Sequence, residues 1–175
     1  MSQFDDRIVV VTGAAGFLGR AVVSGYHAEG AIVCALDHQP GRLQRLFPGI
    51  NTGIHFFDAV DVTDDEAMLA LAEKIEGEVG SPDILVNVLG GFFAGEKVYE
   101  LTAENWNRML ALNVGSFLNL TKAFVPGLLQ KGYGKVLSVA SRAGLTGSAG
   151  MGAYAAAKSA LIRLSESLAV ELAEH

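Results

Sequence analysis

Tyr154 and Lys158 stand four residues apart near the start of a segment with helical periodicity, so their side chains share one helix face. A phenol moves protons near neutrality only if its ordinary pKa of about 10 falls by roughly three units, which is ~4 kcal/mol. One ammonium at ~4 Å and an effective dielectric near 20 supplies about that much. Taken alone, the pair is equally a solvated helix surface, and its surroundings must carry the reading. Ser141 stands 13 residues before Tyr154, at the end of a short apolar run, where its hydroxyl is placed to hold a substrate oxygen. Ser138, inside that run, and Ser148 are its competitors. Asn113 interrupts the apolar stretch LALNVGSFL, and a buried amide there needs hydrogen-bond partners, a local helix bond being the simplest.

A second constellation points to a dinucleotide. The segment Thr12-Gly13-Ala14-Ala15-Gly16-Phe17-Leu18-Gly19 lies directly between a strand-like and a helix-like run. Gly13 suits a left-handed turn out of the strand, Gly16 admits backbone N–H groups to a pyrophosphate, and Gly19 lets the helix pack close to the sheet. The helix N-terminus would then face the phosphates, the alternative being a glycine turn that merely packs. Asp37 follows 18 residues after Gly19, the place of a carboxylate that hydrogen-bonds an adenosine ribose. Such a carboxylate repels a 2′-phosphate, and a screened repulsion of about 1.4 kcal/mol already gives tenfold discrimination, so NAD is the expected cofactor. Arg42 is the residue able to reverse this by accepting the phosphate of NADP, and Asp37 is alternatively a solvated turn carboxylate. Asp61-Val62 is placed to reach the adenine edge, although Asp61 beside Thr63 is equally a turn residue.

These groups need a frame, and the hydrophobic pattern provides one. Short β-branched or apolar runs at Arg7–Thr12, Ala31–Leu36, Ile54–Val60, Asp83–Val88 and Lys135–Ala140 read as buried strands. Helical spacing covers Phe17–Glu29, stopped by Gly30, a short piece at Arg42–Phe47 stopped by Pro48-Gly49, and a helix from about Asp64, where Thr63-Asp64-Asp65-Glu66 has a capping-box pattern. Ala103 to Gln130 reads as the longest helix, with Pro126 as a kink or end, and Met151 to Glu174 as the last, with Leu161, Leu164, Leu168 and Leu172 on one stripe. The alternation predicts one α/β domain over residues 1–175, a Rossmann-like doubly wound parallel sheet of order 3-2-1-4-5 with helices on both faces. Its ligand crevice lies beyond the carboxyl ends of strands 1 and 4, where Gly13, Asp37, Asp61, Gly90 and Ser141 converge.

Composition agrees with a packed globule. Half of the 175 residues are hydrophobic and 18 % are charged, and 21 are glycine against a usual share of about 7 %. The net charge of −6 and the lack of any Lys/Arg cluster exclude a nucleic-acid footprint. The longest nearly apolar stretch, Ile84–Ala94, is far short of a membrane span, and the amino terminus carries Asp5 and Asp6 rather than a basic leader, so a cytoplasmic protein without membrane attachment is expected. The single cysteine, Cys34, reads as a buried hydrophobe, and His27, His38, His55 and His175 lack metal-ligand spacing, so no metal is expected.

The glycine turn, Asp37, Asp61-Val62, the strand end Asn87-Val88-Leu89-Gly90, Asn113, Ser141, Tyr154 and Lys158 together resemble the short-chain dehydrogenase/reductase family, from about Arg7 to the last residue. The resemblance implies NAD(P) held by Gly13, Ala15, Gly16, Phe17, Leu18, Gly19, Asp37, Asp61, Val62, Asn87, Gly90, Tyr154 and Lys158. It also implies an Asn113-Ser141-Tyr154-Lys158 tetrad that transfers a hydride between nicotinamide and a ketone or secondary alcohol. In it Tyr154 exchanges the proton, Lys158 lowers its pKa and holds the nicotinamide ribose, Ser141 orients the substrate oxygen and Asn113 anchors a water. Three departures accompany the likeness. Gly16-Phe17 gives the G-x-x-G-x-x-G spacing of the extended branch, which includes epimerases and dehydratases. The fourth strand ends in Asn-Val-Leu-Gly rather than Asn-Asn-Ala-Gly. Family members also continue into two further strands, a Pro-Gly loop and a substrate lid, none of which lies within these 175 residues. Two further functions follow as alternatives: a truncated, catalytically impaired nucleotide-binding protein, and an NAD-dependent epimerase or dehydratase. If the 175 residues are the whole molecule, the fifth strand would be an exposed apolar edge, and a homodimer or homotetramer through the long helix and the Tyr-Lys helix is expected to relieve it.

Overall fold

The computed structural model describes residues 2–48 and 52–174, so Gly49 of the expected Pro48-Gly49 stop and His175 lie outside the described residues. Five parallel strands, β1 (Ile8–Thr12), β2 (Ile32–Leu36), β3 (Ile54–Phe57), β4 (Ile84–Asn87) and β5 (Lys135–Ser138), form one sheet in the order β3-β2-β1-β4-β5. The helices are α1 (Phe17–Ala28), α2 (Arg42–Leu46), α3 (Asp65–Glu78), α4 (Ala103–Leu110), α5 (Ser116–Lys131) and α6 (Gly152–Glu171). Side chains alternate across each strand, so two apolar layers form. Val9, Val11, Val33, Ala35 and Val86 pack with Val23 of α1, and Val10, Cys34, Leu36 and Leu85 pack with α3 and α5. Burying a Val or Leu side chain is worth about 1.5–3 kcal/mol, which is why these short strands hold without alternating polarity. Cys34 is fully buried as expected, and burial pushes its thiol up to about 12.

Asp83 fastens the end of the sheet away from the crevice. It is buried, its Oδ1 lies 2.8 Å from both Arg7 Nη1 and Lys131 Nζ, and its Oδ2 accepts the Ile8 N–H at 2.9 Å. Burial pushes this carboxyl up, but the bonds from Lys131, Ile8 and Arg7 outweigh it and hold the group below the usual carboxylate range. β1, β4 and α5 are thereby pinned at one end, leaving the opposite loops to do chemistry.

Several boundaries differ from the sequence expectation. β3 ends at Phe57 rather than Val60, because the chain turns away at Ala59, whose φ is +61°, while Asp58 Oδ2 accepts the Gly41 N–H at 3.0 Å. The helix after Thr63 is capped by Asp64, whose carboxylate accepts the Ala67 N–H at 3.0 Å, and not by Thr63. The long helix is α4 and α5 joined through a π-helical turn at Ala111–Gly115. Pro126 lies inside α5 without ending it. A proline there forfeits one backbone bond, but Phe124, Val125 and Leu128 around it are all buried against the sheet, and their packing outweighs the loss. The last helix stops at Glu171 rather than Glu174.

Among the described residues β5 is the last strand on its side of the sheet. Lys135 and Leu137 are exposed, and a groove of about 280 Å³ runs beside Val125, Leu128, Tyr133, Val136, Leu168 and Leu172. Among the described residues no helix is long and apolar enough to cross a membrane.

Candidate functional site

The loops beyond the carboxyl ends of the five strands carry candidate residues, as a doubly wound sheet requires. Gly13 leaves β1 with φ +65°, a left-handed conformation that other residues adopt at a cost. A Cβ on Gly13 would stand 3.0 Å from the Leu89 backbone, and one on Gly19 would collide with the Gly13 carbonyl and lie 2.9 Å from Ala14 Cα. The two glycines therefore let α1 and the β4 loop close on the end of β1. Gly16 is the N-cap of α1 and offers no side-chain cap, and the first turn holds no acidic residue. The α1 amides are left for an anion, with Phe17 and Leu18 exposed beside them.

Asp37 is 6 % exposed, low enough that its charge needs partners. Its Oδ1 accepts the Gln39 N–H at 2.9 Å and faces His38 Nδ1 at 3.8 Å and Arg42 Nη1 at 4.0 Å. Its Oδ2 has no hydrogen-bond partner among the described residues. Arg42 also reaches the Ala15 carbonyl at 3.4 Å, so this cation does lie over the glycine loop. Asp61 is turned into its own turn: Oδ1 accepts from the Thr63 hydroxyl at 2.7 Å and the Thr63 N–H at 2.9 Å. Those bonds, side chain first, hold its carboxyl below the usual range, with His38 adding to the effect against a smaller opposing push from burial. Val62 is buried, and its carbonyl accepts from Asn119 Nδ2 at 3.2 Å.

A cleft of about 260 Å³ over the glycine loop shares Gly13, Asp37, His38, Leu89 and Gly90 with one of about 810 Å³ that runs past Asp61, Val62 and Leu112. Thr12 Oγ1 donates to Asn87 Oδ1 at 2.9 Å and accepts the Leu89 N–H at 3.3 Å, tying β1 to the loop after β4. Asn87 Nδ2 is buried without a partner among the described residues. The uncapped helix end, the free Asp37 oxygen, the orphaned Asn87 donor and the continuous cleft fit a dinucleotide.

The four residues of the expected tetrad arrive from three directions. Asn113 is held by the π-helical turn, its Nδ2 donating to the Met109 carbonyl at 2.9 Å and the Gly91 carbonyl at 3.0 Å. The local helix bond named as the alternative is thus present, yet it engages only one end of the amide. Asn113 Oδ1 is buried and has no partner among the described residues. Lys158 is 4 % exposed, and its Nζ donates to the Val139 carbonyl at 2.7 Å. Burial pulls its pKa down. Gly90 brings these two groups together: a Cβ on it would stand 2.8 Å from Asn113 Oδ1 and 3.1 Å from Lys158 Nζ.

Ser141 caps a short 3-10 turn, its Oγ accepting the Ala143 N–H at 3.2 Å, which leaves its own proton to donate. That loop is fastened to α6 by Ser159 Oγ, which donates to the Gly144 carbonyl at 2.7 Å. Of the competitors, Ser148 is exposed, and Ser138 Oγ is buried without a partner among the described residues. Tyr154 is half-buried with its ring edge-on to Phe92, centroids 5.0 Å apart.

Phe92 and the π-helical turn are absent from the sequence reading. Two adjacent phenylalanines in a glycine-rich loop are a visible signal for the first. No residue pattern announces the second, although a π-helical turn inside a long helix is frequently a functional feature.

A family model described as short chain dehydrogenase matches residues 7–175. The chain belongs to the short-chain dehydrogenase family. Its chemistry is nicotinamide-dependent oxidation of alcohols and reduction of carbonyls. The 3-oxoacyl-[acyl-carrier-protein] reductase FabG of Escherichia coli K12 is 34 % identical over 174 residues, 98 % of this chain and 69 % of that protein. The crystal structure of a short-chain dehydrogenase from Streptomyces avermitilis superposes with TM-score 0.91 at 32 % identity, over 99 % of this chain and 63 % of the other. ElxO with NADP bound gives TM-score 0.91 at 26 % identity, over 97 % and 69 %. The two solved structures share the fold described above.

Proposed function

We propose that this chain transfers a hydride between a nicotinamide dinucleotide and a ketone or secondary alcohol, with Tyr154 as the proton donor and acceptor. The observation that carries the reading is the meeting of Asn113 Oδ1 and Lys158 Nζ over Gly90, beside the cleft that the glycine loop opens. The nicotinamide, when bound, supplies or accepts the hydride. The Ser141 hydroxyl holds the substrate oxygen, and Tyr154 gives that oxygen its proton in reduction or takes it in oxidation. Lys158 holds the nicotinamide ribose. Asn113 Oδ1 is the acceptor for a water in the proton relay. Gly13, Ala15, Gly16, Phe17, Leu18 and Gly19 hold the pyrophosphate, Asp37 the adenosine ribose, Asp61 and Val62 the adenine edge, and Asn87 and Gly90 are further cofactor contacts, Gly90 beside Lys158. The half-exposed Leu118 and Leu129 of α5 and the exposed Val170 of α6 support the pairing of this chain with a second copy along those helices.

Gly90→Ala tests the convergence. The new methyl must displace either the Asn113 amide or the Lys158 ammonium, and a misplacement near 1 Å costs on the order of 10²-fold in turnover. Steady-state reduction of a ketone by the variant is expected to fall at least about tenfold, and an unchanged kcat would separate Gly90 from the catalytic groups.

NAD is the proposed preference because Asp37 Oδ2 is free for a ribose hydroxyl and its charge opposes a 2′-phosphate. Arg42 and His38 face Oδ1 and soften that repulsion without removing it. Calorimetric titration of the purified protein is expected to show NADH binding about tenfold tighter than NADPH, and Asp37→Ala is expected to erase the difference. Tighter NADPH binding would assign Arg42 and His38, not Asp37, as the deciding groups. Binding of either nucleotide without turnover of any carbonyl would favour a nucleotide-binding role alone.

A further inference from the structure

Phe92 is a large aromatic side chain that the cofactor reading leaves without a task. It is 65 % exposed, and it is not loose. Gly91, immediately before it, is packed so closely that a Cβ there would come 2.7 Å from Leu112 Cδ1 and 3.1 Å from Met109 Cε. Phe93, immediately after it, is half-buried against the Met109, Ala153 and Ala157 cluster. The backbone thus fixes where the Phe92 ring leaves the chain, and the ring meets Tyr154 edge-on at an interplanar angle of 79°.

The segment that follows is tied to the head of the Tyr-Lys helix. Glu96 bridges to Met151, and the Gly95 N–H donates to the Gly150 carbonyl at 2.8 Å. The Glu96 carboxylate accepts from Asn105 Nδ2 at 2.7 Å and from the Thr102 N–H at 3.1 Å. Val98 reaches within 2.9 Å of the point where a Gly152 Cβ would stand, and it is itself 75 % exposed. Leu145, in the loop that begins with Ser141, is exposed as well. Apolar side chains held firmly at a reaction centre yet left in water have burial still to gain when a ligand arrives.

We propose that Phe92 is a specificity-determining residue whose free face receives an aromatic or bulky branched apolar group attached to the reacting carbon. The substrate class is therefore aryl or bulky alkyl ketones and the matching secondary alcohols. This rests on the hydride-transfer reading above. In reduction the carbonyl carbon gains a C–H bond from the hydride of the reduced nicotinamide, and the C=O π pair becomes an O–H bond with the Tyr154 proton. Tyr154 is reprotonated from solvent, and the nicotinamide leaves oxidised by two electrons.

The test compares acetophenone with acetone, both reduced by NADH, in the full chain and in Phe92→Ala. The ratio of kcat/KM for acetophenone over acetone is expected to fall about tenfold in the variant, mainly through KM for acetophenone. Phe92→Leu, which keeps an apolar wall, is expected to recover part of that ratio. A ratio unchanged by Phe92→Ala, or no recovery with leucine, would overturn the proposal and leave Phe92 as support for Tyr154 alone. If neither ketone turns over, the hydride-transfer reading fails. The wall is then tested by ligand-observed NMR with 1-phenylethanol and NADH present. Binding lost in Phe92→Ala supports the proposal, and binding insensitive to the substitution overturns it.

Discussion

Tyr154→Phe is expected to lower kcat for ketone reduction by about 10²- to 10⁴-fold, the range of a positioned general acid. The substitution removes one oxygen and keeps the ring, so the contact with Phe92 at 5.0 Å survives. The Tyr154 hydroxyl has no hydrogen-bond partner among the described residues, and its removal leaves no buried group unpaired. The variant should therefore unfold at the same temperature as the parent and still bind NADH by calorimetry. Because the proposed role of the hydroxyl is exercised in the chemical step and not in substrate binding, kcat and kcat/KM should drop together. A variant that retains a tenth or more of the parent turnover would remove Tyr154 from the proton-transfer role.

Lys158→Met carries the second large effect, and it separates charge from packing. Methionine keeps most of the length and the apolar stem of a side chain that is 4 % exposed, while the ammonium and its 2.7 Å bond to the Val139 carbonyl are lost. Turnover is expected to fall by at least about 10²-fold, since the proposed mechanism gives this one ammonium both the support of the tyrosine and the hold on the ribose. Burial depresses the Lys158 pKa in the folded chain, so the unfolded chain binds the extra proton between that lowered value and the ordinary lysine value of about 10.4. Stability from this group accordingly rises as pH rises through that window and is lost as pH falls through the folded pKa. Urea unfolding across the alkaline range should show this rise in the parent and not in Lys158→Met. Equal pH slopes in the two proteins would mean that the buried ammonium is not desolvated. The ammonium also leaves the folded parent at a lower pH than a free lysine would, so ketone reduction should decline below that ordinary value.

The particular elements show where the sequence was sufficient. The runs at Ile8–Thr12, Ile32–Leu36, Ile84–Asn87 and Lys135–Ser138 are apolar and short, and helical spacing lies between them, so parallel pairing and the 3-2-1-4-5 order follow from local pattern and right-handed crossovers. Gly13 and Gly19 were legible for the same reason: a left-handed turn and a close helix approach each exclude side chains, and glycine is the residue that meets both demands. The four-residue spacing of Tyr154 and Lys158 set their common helix face before any neighbour was known.

What the tertiary structure alone decided depends on partners distant in the chain. The π-helical turn at Ala111–Gly115 aims one end of Asn113 at the Gly91 carbonyl, 22 positions away, and leaves the other unpaired. α5 runs through Pro126 because the sheet buries the residues around it, and β3 stops at Phe57 because Asp58 turns to the Gly41 amide. Whether Asp37 meets an empty site or a cation was likewise a question of where Arg42 comes to rest, and it rests 4.0 Å away. The pairing of Phe92 with Tyr154 joins the loop after β4 to the first turn of α6, 62 positions away. Periodicity and turn chemistry act over a few residues and are written in the sequence itself; close approach, burial and orphaned hydrogen-bonding atoms exist only once the sheet has brought those segments together.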